Sequence, residues 1–163
     1  MGAYERKVEK MMAAKSSLGG AAARSRELTT GGIWKGALLG AAAGAVVNSI
    51  LYVVASAAGT SMVAEFAKGQ EPIAMPFPPV VIATFIPAIF AALFAMALNQ
   101  LMAKPVKAFV AVSVVFGLLS MGGPATIGAA SPGLKILLAA MHVVAGVAIA
   151  GGIVRLGPSS RPA

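Results

Sequence analysis

The stretch GALLGAAAGAVVNSILYVVASAA, residues 36–58, decides the fold class of this chain. Its polar side chains are all uncharged, and no Asp, Glu, Lys or Arg occurs between Lys35 and Glu65. At a rise of 1.5 Å per residue, about 20 residues of helix cross a hydrocarbon layer of about 30 Å. The stretch is therefore long enough for one transmembrane helix, which we expect to run from about Gly36 to Ala58.

Three further stretches lack charge in the same way: those between Glu71 and Lys104, between Lys107 and Lys135, and between Lys135 and Arg155. They predict spans at about 79–102, 105–121 and 134–156, with Pro87 as a kink in the second span and a loop from Gly122 to Gly133. The whole chain has only 11% charged residues, against about 25% in an average soluble domain. We therefore predict an all-α fold, a four-helix transmembrane bundle whose surface is covered by the lipid bilayer.

The positive charges predict how the bundle is oriented. Eleven of the thirteen Lys and Arg residues lie before the first predicted span, in or at the edge of the second connection, or at or after the end of the last span: Arg6, Lys7, Lys10, Lys15, Arg24, Arg26, Lys35, Lys104, Lys107, Arg155 and Arg161. Only Lys68 and Lys135 fall in the other two connections. Because basic residues stay on the cytoplasmic side, we expect both termini inside the cell and the connections 59–77 and 122–134 outside.

A basic tail, residues 1–31, precedes the membrane domain of residues 32–157, and residues 158–163 form a short C-terminal tail. Tyr4, Val8, Met11 and Met12 follow helical spacing, which predicts a short amphipathic helix on the membrane surface. A frayed, solvated tail is the alternative. The net charge of +8 is explained by topology and by attraction to anionic lipid headgroups, so no nucleic-acid partner is predicted.

A four-residue ladder of small side chains marks the first span: Gly36, Gly40 and Gly44, followed on the same face by Asn48 and Tyr52. Small residues at this spacing let a second helix approach closely, and Asn48 can then hydrogen-bond across the contact. The second helix belongs either to this chain or to another copy. A similar ladder in span four is formed by His142, Gly146 and Ala150.

His142 is the only histidine, and a histidine at membrane depth is a candidate functional residue. It could handle a proton or gate a path, or it could be one ligand of a haem or metal shared with another subunit. The alternative is structural, with a neutral ring that hydrogen-bonds to a backbone carbonyl, to Asn48 or to a serine on a facing helix. Because a metal site needs three or four ligands and no Asp, Glu or Cys lies at this depth, we predict no metal and no cofactor.

The residues of the spans do not fit an enzyme. Ser49, Ser56, Ser113 and Ser120 have at most one histidine to serve them and no carboxylate to orient it. Paired aspartates and pairs of metal-binding histidines are missing from the spans, and the chain has no cysteine. We therefore predict that the protein is not an enzyme.

Several short motifs resemble those of an uncharacterised family of bacterial four-helix membrane proteins, a domain of unknown function. They are Leu119-Ser120 with Gly123-Pro124, and Leu138 with Met141-His142, within the layout from Gly32 to Leu156. The resemblance implies a multi-pass protein of the bacterial inner (cytoplasmic) membrane with this topology. It implies no activity, substrate or catalytic residue.

Two functions are compatible with these patterns. The leading hypothesis is a non-catalytic integral membrane protein that acts by helix packing, as an accessory or structural subunit of a membrane complex or as a homo-oligomer. The alternative is a small channel or permease for a neutral solute, lined by Asn48, Thr84, Ser113, Ser120 and His142. An electron-transfer subunit, in which two copies of His142 hold one haem, is a third option.

Overall fold

A computed structural model describes residues 28–158 together with Gly2, Val8 and Glu9. From residue 28 onward the elements are α1 (Thr30–Ala57), β1 (Val63–Ala64), β2 (Ile73–Ala74), α2 (Phe77–Leu101), α3 (Pro105–Ser120), α4 (Gly122–Thr126) and α5 (Pro132–Leu156). Four helical spans, 30–57, 77–101, 105–126 and 132–156, are long and apolar enough to cross a membrane. The prediction of a mostly helical fold with four spans is thus confirmed. The predicted tail helix lies outside the described residues, apart from Val8 and Glu9.

Two helices begin after a residue whose side chain accepts a hydrogen bond from one of the first N–H groups of the helix. A third begins with proline, which has no N–H group. The hydroxyl of Thr29 accepts from the Gly32 N–H at 3.1 Å, so α1 begins several residues before Gly36. Ser131 does the same for α5 by accepting from the Leu134 N–H at 3.2 Å. α3 begins with Pro105, whose fixed φ suits the first helical position.

The third span is broken where the sequence predicted only a loop. Pro124 has no N–H to give to the carbonyl of Ser120, so α3 ends there. The chain then continues as the five-residue helix α4, in which the Thr126 hydroxyl donates to the Gly122 carbonyl at 2.7 Å. The expected loop from Gly122 to Gly133 is thus partly helical, because proline is tolerated within the first turn of a new helix.

The bundle is built around α1, which packs along α5 on one side and along α2 on the other. α3 contacts α2 and α5 and lies at the edge of the bundle. Only Pro105 and Phe109 of α3 are buried, and both lie in its first turns. The other three long helices therefore form the packed unit, which α3 contacts through its first turns and α4 contacts at the other end of the span.

Buried side chains form two separate apolar clusters along the length of the bundle. The first contains Leu28, Ile33, Ala37, Ala41, Ala88, Ala92, Ala95, Phe109, Ile149 and Ile153, and we call its side of the bundle the termini end. The second contains Ala64, Met75, Val80, Leu134, Leu137 and Met141, and we call its side the hairpin end. Asn48 and Thr84 are buried but belong to neither cluster.

The hairpin end is closed by the connection between α1 and α2. β1 and β2 pair antiparallel, with Val63 opposite Ala74 and Ala64 opposite Ile73. The N–H of Glu65 donates to the Gly128 carbonyl at 2.8 Å, which joins this hairpin to the segment before α5. The connection is thus a folded cap over the second cluster, although each strand has only two residues.

Candidate functional site

The glycine ladder of α1 is a contact surface for α5 of the same chain. A Cβ at Gly36 would overlap the carbonyl oxygen of Gly152, and one at Gly40 would overlap the carbonyl oxygen of Ala148. A Cβ at Gly152 would in turn overlap the Gly36 carbonyl oxygen. The backbones of α1 and α5 therefore touch, which no residue larger than glycine allows at these positions.

The gap between the helices widens at Gly44. A Cβ placed there would meet Thr84 Cγ2 and Ala148 Cβ at 3.4 Å each, which is ordinary van der Waals contact. An alanine methyl group would thus fit at Gly44, in contact with α2 and α5. Gly44 itself is buried.

Asn48, one turn after Gly44, connects three helices. Its side-chain amide donates to Thr84 Oγ1 of α2 at 3.3 Å and to the Met141 carbonyl of α5 at 3.3 Å. The Thr84 hydroxyl donates to the Val80 carbonyl of its own helix at 3.0 Å. We call Asn48, Thr84 and the Met141 carbonyl the polar node; its two side chains are 3% and 2% exposed and separate the two apolar clusters.

Tyr52 ties α1 to the cap. Its hydroxyl donates to the Met75 carbonyl, just after β2, at 2.8 Å. Its ring meets that of Phe77 edge to face, with 5.5 Å between the centroids. Tyr52 thus shares a ladder with the glycines, but it contacts the hairpin end.

His142 lies on the surface of the bundle near the middle of α5. Its Nδ1 is 2.8 Å from the Leu138 carbonyl oxygen of the same helix, an arrangement in which Nδ1 carries the proton and donates. Nε2 is then an acceptor, and no described residue pairs with it. Neither Asn48 nor a serine hydrogen-bonds to the ring, so in this chain His142 joins no two helices.

The remaining small residues of the α5 ladder are placed differently from each other. Gly146 is exposed, with nothing within 4 Å of a Cβ placed there. Ala150 is half-buried and packs against the first cluster. His142 and Gly146 therefore share a face that the described residues leave open, whereas Ala150 contacts the bundle.

Of the residues proposed to line a solute path, the structure brings Asn48 and Thr84 together and leaves His142 and Ser120 apart from them. Asn48 and Thr84 are inside the bundle, His142 is on its surface, and Ser120 is exposed on α3, where its hydroxyl donates to the Gly117 carbonyl at 2.7 Å. Within residues 28–158 and the three described tail residues, no group of three or more His, Asp or Glu side chains could hold a metal ion.

Asn99 has a structural role that the sequence analysis missed. Its side chain accepts from the Leu28 N–H at 3.1 Å and donates to the Leu28 carbonyl at 2.8 Å, so it pairs with the backbone as a strand would. The neighbouring Thr29 N–H donates to the Gly157 carbonyl at 2.8 Å. The segment entering α1, the end of α2 and the end of α5 are thereby joined in a clasp. The signal available in the sequence was the amide side chain of Asn99 near the end of the uncharged run between Glu71 and Lys104.

Four long apolar helices around a core of small residues define this chain as a multi-pass membrane protein. Residues 28–158 match the model of a family of unknown function, DUF6069, and the chain belongs to that family. The resemblance seen in the sequence to an uncharacterised family is thus confirmed. No curated protein and no solved structure matches the chain.

Proposed function

We propose that this protein is a non-catalytic component of a membrane assembly, which packs its helices against another membrane protein or against a second copy of itself. We place it in the bacterial inner membrane with both termini in the cytoplasm. The distribution of Lys and Arg supports this orientation: Lys35, Lys104, Lys107 and Arg155 lie at the termini end, and Lys68 and Lys135 lie towards the hairpin end.

The main support for the proposal is the exposure of α3. In the most apolar window of each span, 33% of residues are buried for α1, 28% for α2 and 22% for α5, but only 6% for the span that comprises α3 and α4. The outer turns of α3 expose Phe116, Leu118 and Leu119 by 70% or more of their surface. A span whose middle turns are exposed gains stability from a further helix that packs along them.

The free acceptor of His142 points to protein on the same side of the bundle. Lipid tails cannot donate a hydrogen bond to Nε2, and a polar group left unpaired in hydrocarbon costs free energy. A donor on a partner helix would remove that cost. Gly146, one turn along, is open and would let such a helix approach closely.

The glycines of α1 are not available for this contact, because α5 already covers them. We therefore place the partner on the face of α5 that carries His142, Val143, Gly146 and Val147, together with the neighbouring surface of α3. Val143 and Val147 are 55% and 69% exposed, so their replacement does not disturb the bundle itself.

The test is the mass of the purified protein in nanodiscs or mild detergent, with Gly146→Leu beside the parent. We expect an assembly larger than one chain for the parent and a shift towards the monomer for Gly146→Leu. Ala43→Leu is the matched control, since Ala43 is exposed on α1, away from this face. A parent that is strictly monomeric, and that also co-purifies with no other membrane protein from native membranes, would contradict the proposal.

A narrow path for a neutral solute is the second candidate, and the polar node is the observation that favours it. Asn48 and Thr84 place hydrogen-bonding groups inside the bundle, although His142 lies apart from them. Solute flux into liposomes that falls in both Asn48→Leu and Thr84→Val, but not in His142→Leu, would support this function. Flux equal to that of empty liposomes for a panel of small neutral solutes would exclude it for those solutes.

A further inference from the structure

The contact between α1 and α5 brings two basic residues to the same depth at the termini end. Gly36 and Gly152, which we call the contact glycines, touch through their backbones. Lys35 lies one residue and Arg155 three residues from this contact, both towards the termini end. At a rise of 1.5 Å per residue, the depths of Lys35 and Arg155 in the membrane therefore differ by only about 3 Å.

Both basic residues lie on the flank of the α1 and α5 pair that is turned away from α2. Consecutive helix residues are about 100° apart around the axis, so Lys35 and Ala37 lie on opposite sides of the contact glycine of α1. Ala37 is buried in the first cluster, which contains three alanines of α2. On α5, Ile153 is buried in the same cluster, whereas Arg155 lies about 60° to the other side of the contact glycine. Lys35 and Arg155 thus flank one seam between two helices.

Neither basic side chain is paired with an acid among the described residues. Both are exposed, and the described acids are Glu9, Glu65 and Glu71. Glu65 and Glu71 belong to the connection at the hairpin end, and no ion pair joins any of the three acids to Lys35 or Arg155. Because two neighbouring cations repel each other, an anion that contacts both is favoured at this point.

Beside each basic residue, one turn deeper in the membrane, the surface is open. On α1, Leu39 follows Lys35 by four positions, so it shares its face, and it is 51% exposed. On α5, Gly151 precedes Arg155 by four positions, and a Cβ placed at Gly151 would meet no described atom within 4 Å. A shallow apolar groove thus runs from the two cations into the hydrocarbon, with Leu39 as one wall and Gly151 as its floor.

We propose that Lys35 and Arg155 bind the phosphate of one anionic phospholipid, whose acyl chain lies in the groove along Leu39 and Gly151. The guanidinium group of an arginine can donate two parallel hydrogen bonds to a phosphate, and a lysine adds a point charge. Both residues stand at the end of a membrane span, which is the depth of the lipid headgroups. A lipid satisfies both parts of the site, because its phosphate matches the cations and its chain matches the groove.

This lipid site is separate from the surface of the proposed assembly. Gly151 lies five positions after Gly146 and is therefore turned from it by about 140° around α5. Lipid binding is counted per chain, so the two proposals can fail independently. A monomeric parent that retains an anionic lipid would contradict the assembly and would support the lipid site.

The test is the retention of phosphatidylglycerol, measured by native mass spectrometry of the full chain with added phosphatidylglycerol or phosphatidylcholine. We expect the parent to keep one phosphatidylglycerol per chain and no phosphatidylcholine. Equal retention of the two lipids would overturn the proposal. An adduct of inorganic phosphate in place of the lipid would identify a soluble anion as the occupant and would also overturn it.

A second pair of lysines provides a control with the same change in net charge. Lys104 and Lys107 are exposed at the start of α3 and do not flank the seam between α1 and α5. We expect the double variant Lys35→Gln and Arg155→Gln to bind phosphatidylglycerol at least about tenfold more weakly than Lys104→Gln and Lys107→Gln. Equal binding by the two double variants would show that only net charge attracts the lipid.

Gly151→Leu tests the groove while both cations stay in place. We expect this variant to lose the bound phosphatidylglycerol, because the leucine side chain would occupy the path of the acyl chain. Gly117→Leu is the control, since Gly117 is exposed on α3 with no described atom within 4 Å of a Cβ placed there. Binding by Gly151→Leu that equals the parent would overturn the placement of the chain.

Glu27 is the acid nearest to Lys35 in the sequence, and it lies outside the described residues. We expect Glu27→Gln to bind phosphatidylglycerol as the parent does. Much tighter binding by Glu27→Gln would show that an acid of the chain already neutralises the two cations, and it would contradict an open lipid site.

Discussion

The side-chain amide of Asn48 donates to the Met141 carbonyl at 3.3 Å, directly before His142, which the sequence offered as a hydrogen-bond partner of Asn48. Asn48 and His142 thereby have separate environments. Asn48 is inside the bundle with Thr84, whereas His142 faces outward and bonds to its own helix through Leu138. Asn48 links helices within this chain, whereas His142 is available for contact with another protein.

Replacing Asn48 by alanine should destabilise the bundle by about 1–2 kcal/mol, because hydrogen bonds between membrane helices contribute about 0.6–1.7 kcal/mol each. The loss would appear in the free energy of unfolding, measured by SDS titration or steric trapping. Ser49→Ala is the control, since the Ser49 hydroxyl bonds only to Ala45 of the same helix. An equal loss in both variants would contradict a role for Asn48 between helices.

Alanine at Gly40 and alanine at Gly146 should change stability in opposite directions. At Gly40 the new Cβ would overlap the carbonyl oxygen of Ala148 and push α1 from α5. At Gly146 it meets nothing within 4 Å, so only the helix propensity changes, a gain of up to about 1 kcal/mol. Unfolding of the two single variants under the same conditions measures both effects. Stabilisation by Gly40→Ala would show that the helices are not in backbone contact.

The glycine pattern shows where sequence reasoning ends. Charge-free runs predict spans because the cost of burying charge in lipid depends on the residue type and not on its neighbours. A ladder of small residues predicts that some helix approaches, but it does not identify which one. Gly36 and Gly146 stand in similar ladders, yet the first touches Gly152, whereas a Cβ at the second would meet no described atom within 4 Å.

The hairpin cap and the clasp formed by Asn99 were not predicted from the sequence, for a related reason. Strands of two residues, such as Val63–Ala64, have too few positions to show an alternating pattern. Asn99 pairs with Leu28, which is 71 positions away in the chain, so nothing local marks the contact. Both features depend on which segments the bundle brings together.

Removal of the Asn99 side-chain amide should open the clasp. Asn99→Leu leaves the N–H and carbonyl of Leu28 without their partner. Because Leu28 is only 1% exposed, water cannot replace that partner, and we expect the free energy of unfolding to fall by about 1–3 kcal/mol. Hydrogen exchange should rise first at residues 28–30, where the chain enters α1. Gln100→Leu changes the exposed neighbour and should leave this exchange unaltered. Equal exchange in both variants would show that the clasp does not hold this segment.

The orientation can be tested with single cysteines, because the chain contains none. Lys68→Cys should react with a membrane-impermeant maleimide in intact cells, since the connection that bears it is expected outside. Lys104→Cys, between α2 and α3, should react only after the membrane is permeabilised. Both residues are exposed, so burial would not obscure the result. The reverse pattern of labelling would place the termini outside the cytoplasm.

His142→Leu should weaken assembly without weakening the individual chain. Among the residues that the structure describes, the ring bonds only to Leu138 of its own helix, so its removal leaves no other helix of the bundle unpaired. If a partner donates to Nε2, the loss of that bond, worth about 0.6–1.7 kcal/mol, raises the dissociation constant about threefold to twentyfold. Val143→Leu, at the exposed neighbouring position, controls for changes in shape on this face. Dissociation constants measured in a lipid dilution series separate the two variants, and equal values would mean that His142 Nε2 has no donor across the contact.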